Sequence, residues 1–340
     1  MSEQITARHD PALSATVVRH TPLYYRDVIG PGSERPPFVR AGSSLARLVD
    51  GLAVIQDDAN YLALIDRNSV EAEALELPAG HGGHRVFDKD HADRGHKLDL
   101  EACATLPGAK TDLLVAFGSG SQPSREWVII VDWQGGGPTT ALYHAHALYD
   151  AVRREHVFAG SELNIEGAVF VGPHHIRLFQ RGNGKPRGDL QPVDATGDLD
   201  WPALKAYLEQ PERIGPPPLS NVVQYRLGEL DGVRLTFSDA ELVGDVMLFS
   251  ASAEDSGDAG RDGRIAGSVL GVIDNEGARW ARLVGSDGGA FKAKIEGLSL
   301  APDDPHHAYF VTDDDDADAP SELFEARLDG PWYLQDSGPA

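Results

Sequence analysis

Five acidic residues recur in this chain in similar surroundings, and together they have the chemistry of a metal site. Asp50, Glu101, Glu166, Asp239 and Glu296 each lie beside a small residue and lead into a short apolar run, at spacings by subtraction of 51, 65, 73 and 57 residues. Carboxylates gathered within a few ångströms repel one another unless some are protonated or a cation sits among them. A fold that brings these five together therefore predicts a hard-cation site. Ca²⁺ takes about 6–8 oxygens at about 2.3–2.6 Å in irregular geometry, which suits such a ring better than the strict octahedron of Mg²⁺. No His or Cys stands at these positions, so zinc and other N/S-preferring metals fit poorly. Each acid alone reads equally well as a turn residue in solvent, and the repetition carries the expectation.

The elements that must position these acids are hairpins. The clearest is Leu163 to Gly184, in which Glu166-Gly167 opens an apolar strand, Gly172-Pro173 reverses it and a second strand runs out into Arg181-Gly182-Asn183-Gly184. The two ends of an antiparallel hairpin lie together, so Glu166 and Arg181 belong to one sheet edge. Similar units are read at Leu48 to Asn68, Leu98 to Ser121, Leu235 to Asp255 and Lys294 to Asp316. Further strands are expected between them, at Glu71–Ala79, Glu126–Trp133, Thr140–Tyr149, Asn221–Leu230, Gly267–Asp274, Ala278–Gly285 and Ser321–Leu328. Helical periodicity is confined to Trp201–Gln210, inside a Pro-rich insertion at 185–220.

Many short strands, Gly- and Pro-rich turns and a repeat of about 50–70 residues predict an all-β fold, a β-propeller of five blades forming a single domain over residues 1–340. The last unit supplies only three strands, so the N-terminal strand Ser14–Pro22 is expected to join the last blade and close the ring. A sixth blade in the first forty residues, or a β-sandwich pair, is the open alternative.

In a propeller the first strand of each blade lines the central channel, which places Asp50, Glu101, Glu166, Asp239 and Glu296 near one mouth of it. Residues two positions earlier face the same way: Leu48, Asp99, Asn164, Phe237 and Lys294, of which Asp99 and Asn164 could add oxygens while Lys294 could compete with the metal. Around the mouth, Arg67, Lys97, Arg181, Lys294 and Asn183 form a rim able to hold a phosphate or carboxylate. Salt bridges between neighbouring blades are the alternative use of those basic groups.

Composition narrows the partners. With 53 acidic against 30 basic residues the formal charge is −23, which disfavours a phosphate-backbone grip on nucleic acid or an anionic membrane and favours a cation with a small anionic ligand. The single cysteine, Cys103, excludes an intramolecular disulfide and a Cys-rich zinc site, and its apolar strand context predicts an inert buried thiol. The N-terminus lacks the basic start and apolar run of a secretory signal, and no apolar stretch of about 18 residues occurs, so a cytoplasmic protein is expected. His144 and His146 read as a surface pair on one face of a strand, and the Pro-His-His triplets at 173–175 and 305–307 as turns on the face opposite the acids.

The unit starts VDGLAV, DLEACATL, NIEGAVFV, FSDAELV and KIEGLSL resemble those of the calcium-activated nucleotidases (apyrases), five-bladed propellers with one channel Ca²⁺ held by acidic and hydroxyl residues. The resemblance implies that Glu101, Glu166 and Glu296 are carboxylate ligands, while Asp50 and Asp239 stand where that family tends to place Ser. The chain is also similar to uncharacterised bacterial propellers and to phytase-like and lactonase-like ones that use channel Ca²⁺. Two functions follow as expectations: a Ca²⁺-dependent hydrolase of a small anionic ester, phosphoester or lactone, or a non-catalytic scaffold or ligand-binding module knitted by a structural cation.

Overall fold

The structure is a computed structural model that describes residues 3–27, 30, 32–66, 69, 71–88, 90–108, 111–134, 136–255, 263–301, 304–313 and 316–333. Strands dominate, and helix is limited to His146–Arg154, His156–Ala159, Trp201–Glu209 and three short 3₁₀ turns among the described residues. None of these helices is long and apolar enough to cross a membrane.

Two sheets are simple four-stranded meanders. One runs Gly42–Leu48, Gly51–Gln56, Tyr61–Asp66, Ala72–Glu76, the other Leu100–Thr105, Leu113–Gly118, Trp127–Asp132, Thr139–His144. A third sheet runs Ile165–Val171, His175–Gln180, Asp194–Asp200, Ser220–Arg226 and gains Glu3–Thr6 as a parallel edge strand. The fourth is a ten-stranded sheet that begins with Glu229–Leu230, Val233–Val243, Val246–Asp255, Arg264–Asp274 and Gly277–Val284, the last of which also pairs with the short strand Arg8–His9. It continues through Ser14–Pro22, Glu322–Asp329 and Asp304–Thr312 to Ile295–Ala301. The expected N-terminal strand thus pairs with Glu322–Asp329, Leu328 opposite Ala15 and Phe324 opposite His20. Only two parallel pairs, Leu283 with Ala15 and Val284 with Thr16, join the two halves of this sheet.

Five strands pack on one another in a closed cycle. Gly42–Leu48 packs on Leu100–Thr105, that strand on Ile165–Val171, then Val233–Val243, then Ile295–Ala301, which packs back on Gly42–Leu48. We call these the inner strands. Their closeness depends on glycine: a Cβ on Gly297 would lie 2.7 Å from the Leu45 amide nitrogen, and one on Gly167 3.3 Å from that of Ala240. The apolar core is divided between neighbouring sheets. Phe117 and Phe170 share one layer, Phe179 and Phe249 the next, Leu248 and Phe310 a third, Leu45 and Val311 a fourth, Ile55 and Leu114 a fifth. The result is a propeller-like all-β fold with curled sheets.

Three expectations need correction. The first unit begins one strand early of where the sequence reading put it: Gly42–Leu48 is the inner strand, and Asp50 sits in the exposed turn to Gly51–Gln56. Residues 185–220 are not a simple insertion, because Asp194–Asp200 is the third strand of its sheet and Trp201–Glu209 follows it directly, capped by the Asp200 carboxylate accepting from the Ala203 N–H at 2.8 Å. The strand expected over Thr140–Tyr149 stops at His144, and His146 opens a helix whose buried Leu148, Tyr149 and Val152 follow helical spacing. His144 and His146 are therefore not a pair on one strand face, although their rings stack at 6.1 Å.

Candidate functional site

Every inner strand carries the same irregularity, at its second residue in four of them and midway along Val233–Val243. The register with the second strand skips one residue between Gly42 and Ser44, Leu100 and Ala102, Ile165 and Gly167, Phe237 and Asp239, and Ile295 and Gly297. The five bulged residues are Ser43, Glu101, Glu166, Ser238 and Glu296. A bulge leaves its residue out of the ladder and re-aims its side chain, so equivalence between the units is fixed by the bulge.

Four of these five, Ser43, Glu101, Glu166 and Glu296, line one polar cavity of about 340 Å³. Lys97, Asp99, Asn164, Arg181, Asn183 and Lys294 line it too, so the structure brings together three of the expected metal residues and four of the expected rim residues. Asp50 is not among them, for it lies in the turn at the far end of its strand. Asp239 is displaced by one residue from the bulge, fully buried, and turned to the backbone of two other inner strands. Arg67 lies outside the described residues, and its neighbour Asp66 pairs opposite Gly51, away from the cavity. The true end of the second strand in that sheet is Gln56-Asp57, and Asp57 lines the cavity.

The cavity is held by ion pairs. Glu166 Oε1 accepts from Asn164 Nδ2 at 2.7 Å and from Arg181 Nη1 at 3.2 Å, and Arg181 also grips Glu254 from the neighbouring sheet. Lys97 pairs with Asp57 across a sheet boundary and with Asp99 Oδ1 at 2.7 Å; Arg125 Nη1 meets Asp99 Oδ2 at 3.0 Å. Lys294 Nζ lies 2.5 Å from Glu296 Oε1. Interblade ion pairing thus accounts for part of the work of Lys97 and Arg181. The Asp99 backbone is left-handed, φ 57°, and Ala41, also two residues before a bulge, has φ 46°.

Not all carboxylate oxygens are satisfied. Glu296 Oε2 is buried without a hydrogen-bond partner, and Glu101 accepts no hydrogen bond from any described residue. Among the described residues, seven carboxyls (Asp57, Asp99, Glu101, Glu166, Glu254, Glu296, Asp313) and five cationic groups (Lys97, Arg125, Arg181, Lys292, Lys294) line the space, two more formal negative charges than positive. Burial, then the charges of Asp99, Glu166 and Asp57, push Glu101 well above the usual carboxylate range. Burial likewise pushes Glu296 up to about 8, with Lys294 opposing and Glu166 adding. Lys97 goes the other way: burial disfavours its charge, but Asp57, Asp99 and Glu101 hold it well above the ordinary lysine range. Asp99, buried as it is, is held below the usual range by Lys97 and then Arg125. One divalent cation would match both the charge excess and the two carboxyls, Glu101 and Glu296, whose charge burial disfavours. The donor types, carboxylates and a hydroxyl with no nitrogen or sulfur, suit a hard cation such as Ca²⁺. The three glutamates, whose carboxylate oxygens do not all lie within 4.8 Å of one another, would have to draw together around it.

Two more groups bear on this reading. Ligand atoms of Asp57, Asp99 and Glu101 lie within 4.8 Å of one another, but the Lys97 ammonium already bonds to two of the three. Glu126, His146 and Asp150 also cluster, away from the cavity, and there Arg153 neutralises the buried Glu126. Cys103 is buried as expected, its Sγ 3.3 Å from Ser44 Oγ, and burial raises its thiol far out of the reactive range.

Sequence reasoning missed Ser43, Ser238, Asp57 and Arg125. A signal for Ser238 was present, since Phe237 matches the apolar residue that precedes Glu101, Glu166 and Glu296, which aligns Ser238 with the glutamates.

Among solved structures the chain is similar to two propeller-like ones. Against glutaminyl cyclase from Myxococcus xanthus the TM-score is 0.47 at 12% identity, covering 96% of this chain and 99% of that one. Against YCF48 bound to D1 peptide it is 0.36 at 9% identity, covering 99% of each. No curated protein matches. Residues 38–328, from just before the first inner strand to the last strand of the fold, match the model of a family of unknown function (DUF6929), and the chain belongs to that family.

Proposed function

We propose that this protein is a five-bladed propeller that binds Ca²⁺ at the mouth of its channel and hydrolyses a small anionic ester there, most simply a phosphoester. The observation that carries the reading is the shared bulge: three glutamates at the same position of three inner strands open onto one cavity whose described lining residues carry two more formal negative charges than positive. The closed cycle of inner strands and the thin junction inside the ten-stranded sheet support five blades, with Ser14–Pro22 as a strand of the last. The order of bulged residues, Ser, Glu, Glu, Ser, Glu, supports the resemblance to calcium-activated nucleotidases, because serines stand at the two positions where that family tends to have them.

Glu101, Glu166 and Glu296 would hold the ion, with Ser43 beside them. Bound there, it would polarise a substrate oxygen and acidify a water molecule. The chain's own groups do the rest. Glu101, which accepts no hydrogen bond from any described residue, would leave the ion to Glu166 and Glu296 and serve as the base for that water's proton. Arg125 and Lys294, both in the cavity lining, would supply positive charge to the substrate's anionic oxygens, and Arg181 orients Glu166 through the hydrogen bond to its Oε1. A scaffold role has its own support in the pairs Lys97–Asp57 and Arg181–Glu254, which tie neighbouring sheets.

Calorimetric titration of chelated protein with Ca²⁺, with Glu166→Gln beside it, tests the site. Ca²⁺ at about 100 times its dissociation constant is expected to add about 2.7 kcal/mol of stability to the wild type, and much less to the variant. Absence of binding and of any melting shift in the wild type would sink the site. A panel of phosphoesters and lactones with and without Ca²⁺ tests the reaction, and a flat response from folded, Ca²⁺-loaded protein returns the scaffold.

A further inference from the structure

A second cavity of about 260 Å³ adjoins the first and shares Asp57, Lys97, Arg125 and Asp313 with it. Its own lining adds Arg40, Asp58, Arg94 and Gln122. Arg40 is buried and forms a rigid floor: its guanidinium donates to Asp58 Oδ2 from Nε at 3.1 Å and from Nη2 at 2.5 Å, and to Asp88 from Nη1 at 2.7 Å. Asp58 is only 4% exposed, yet its Oδ1 has no hydrogen-bond partner. Arg125 Nε, on the wall between the cavities, is likewise buried without a partner. Arg94 stands over the opening, 4.0 Å from Asp58 Oδ2 and half exposed, with the exposed Gln122 beside it.

Asp58 and Arg125, which carry the orphan acceptor and the orphan donor, both line this polar space, and together they match a group that donates and accepts at once. A hydroxyl does both. Buried polar atoms are normally paired, so each orphan marks a place where a ligand or water completes the bonding. Carboxylate, guanidinium and amide side chains arranged together are the partners that vicinal hydroxyls need. The lining also excludes something: among the described residues neither cavity is lined by an aromatic side chain, and Ala41 and Ala317 are the apolar side chains of the second. A nucleobase, an aryl group or an acyl chain would find no stacking face and no apolar wall.

We propose that this second cavity is the subsite for a polyhydroxylated leaving group, so that the substrate is an anionic ester of a polyol, of the sugar-phosphate class. The inference rests on the cation site holding the anionic end, and it adds what lies at the other end. Asp58 and Arg94 receive the hydroxyls, with Gln122 at the edge.

The test uses full-length protein saturated with Ca²⁺ and compares, by calorimetry, glucose 6-phosphate, glycerol 3-phosphate and inositol 1-phosphate with phenyl phosphate and inorganic phosphate. At least one polyol phosphate is expected to bind about tenfold or more tightly than phenyl phosphate and phosphate, a difference of about 1.4 kcal/mol. In Arg94→Met and Gln122→Leu, both at exposed positions, that preference should fall to within about twofold while inorganic phosphate and Ca²⁺ bind as before. Phenyl phosphate binding as tightly as every polyol phosphate overturns the proposal, as does a preference that both variants retain. If no phosphate binds the Ca²⁺-loaded protein, the cation-site reading has failed separately, and methyl glucoside and inositol then decide for the subsite: binding that Arg94→Met removes upholds it, and no binding overturns it.

Discussion

Two layers of carboxyls lie one residue apart along the inner strands and do opposite work. Glu101, Glu166 and Glu296 occupy the bulges and face a polar cavity, other carboxylates and ammonium groups. Asp239 follows the bulged Ser238 and faces backbone: its Oδ2 accepts from the Leu298 N–H at 2.8 Å, from the Leu45 N–H at 3.5 Å and from Ser44 Oγ at 3.2 Å. Among the described residues no cation pairs with it, and burial pushes it well above the usual carboxylate range in spite of those donors. Asp239 ties three inner strands together as a fixed acceptor. The glutamates, by contrast, repel one another and are left needing positive charge. The functional group is the same at the three bulges and at Asp239, and the phase of the bulge decides which role a carboxyl has.

The largest expected effect tests the tie. Asp239→Ala strips the Leu45 and Leu298 amides of their acceptor in a buried setting and should cost about 2–4 kcal/mol in denaturant unfolding, equally with chelator and with Ca²⁺. Asp239→Asn keeps an acceptor oxygen and should cost less than half as much. An alanine variant as stable as wild type would erase the distinction between the layers.

Next comes pH. A carboxyl whose pKa is raised on folding contributes stability that is complete below its unfolded value and is lost as pH rises through its folded value. For Glu296 that window runs from 4.5 to about 8, and Glu101, also raised, acts in the same direction. Chelated protein should therefore lose stability steadily from about pH 5 to pH 8, by melting temperature, and Ca²⁺ should flatten the fall. Asp239 adds a component of the same sign that Ca²⁺ leaves untouched, so a residual slope in Ca²⁺ should vanish in Asp239→Asn. Glu101→Gln should raise the stability of chelated protein at pH 8 by about 1 kcal/mol, since it removes a repelling charge. A melting temperature independent of pH in chelator would mean that the glutamates do not feel one another.

A smaller effect concerns Lys294, whose ammonium occupies one oxygen of Glu296. Lys294→Met should free that oxygen and raise Ca²⁺ affinity about tenfold, the equivalent of about one pKa unit of charge competition. Weaker binding in the variant would make Lys294 part of the site's support.

The strands, their hairpin order and the N-terminal partner of the last strand were legible because alternation and turn residues are local signals. Glu101, Glu166 and Glu296 were legible for the same reason, each following an apolar residue and preceding a small one. What failed was phase. Gly42–Leu48 carries Ser43-Ser44 where an acid was sought, and the search settled on Asp50 one strand later. A bulge adds one residue to a strand without any fixed sequence mark, so Asp239 outweighed Ser238. Asp57, Arg125 and the Arg40–Asp58 floor come from loops and strand ends, and only the closing of the cycle brings them to the glutamates.

The smallest effect is the sharpest check on that phase. Asp50 lies in an exposed turn at the end of the first inner strand remote from Ser43, and Asp50→Asn should change stability by no more than about 0.5 kcal/mol, as surface substitutions do, and Ca²⁺ affinity by less than about twofold. Ser43 sits at the bulge and lines the cavity, its Oγ donating to the Leu100 carbonyl at 2.5 Å. Ser43→Ala should weaken Ca²⁺ by roughly five- to tenfold, the loss of one oxygen donor among several. Were Asp50→Asn to weaken binding as much as Ser43→Ala, the ring would have to be re-registered through the turn, and the bulge would lose its role as the feature that selects which side chains meet.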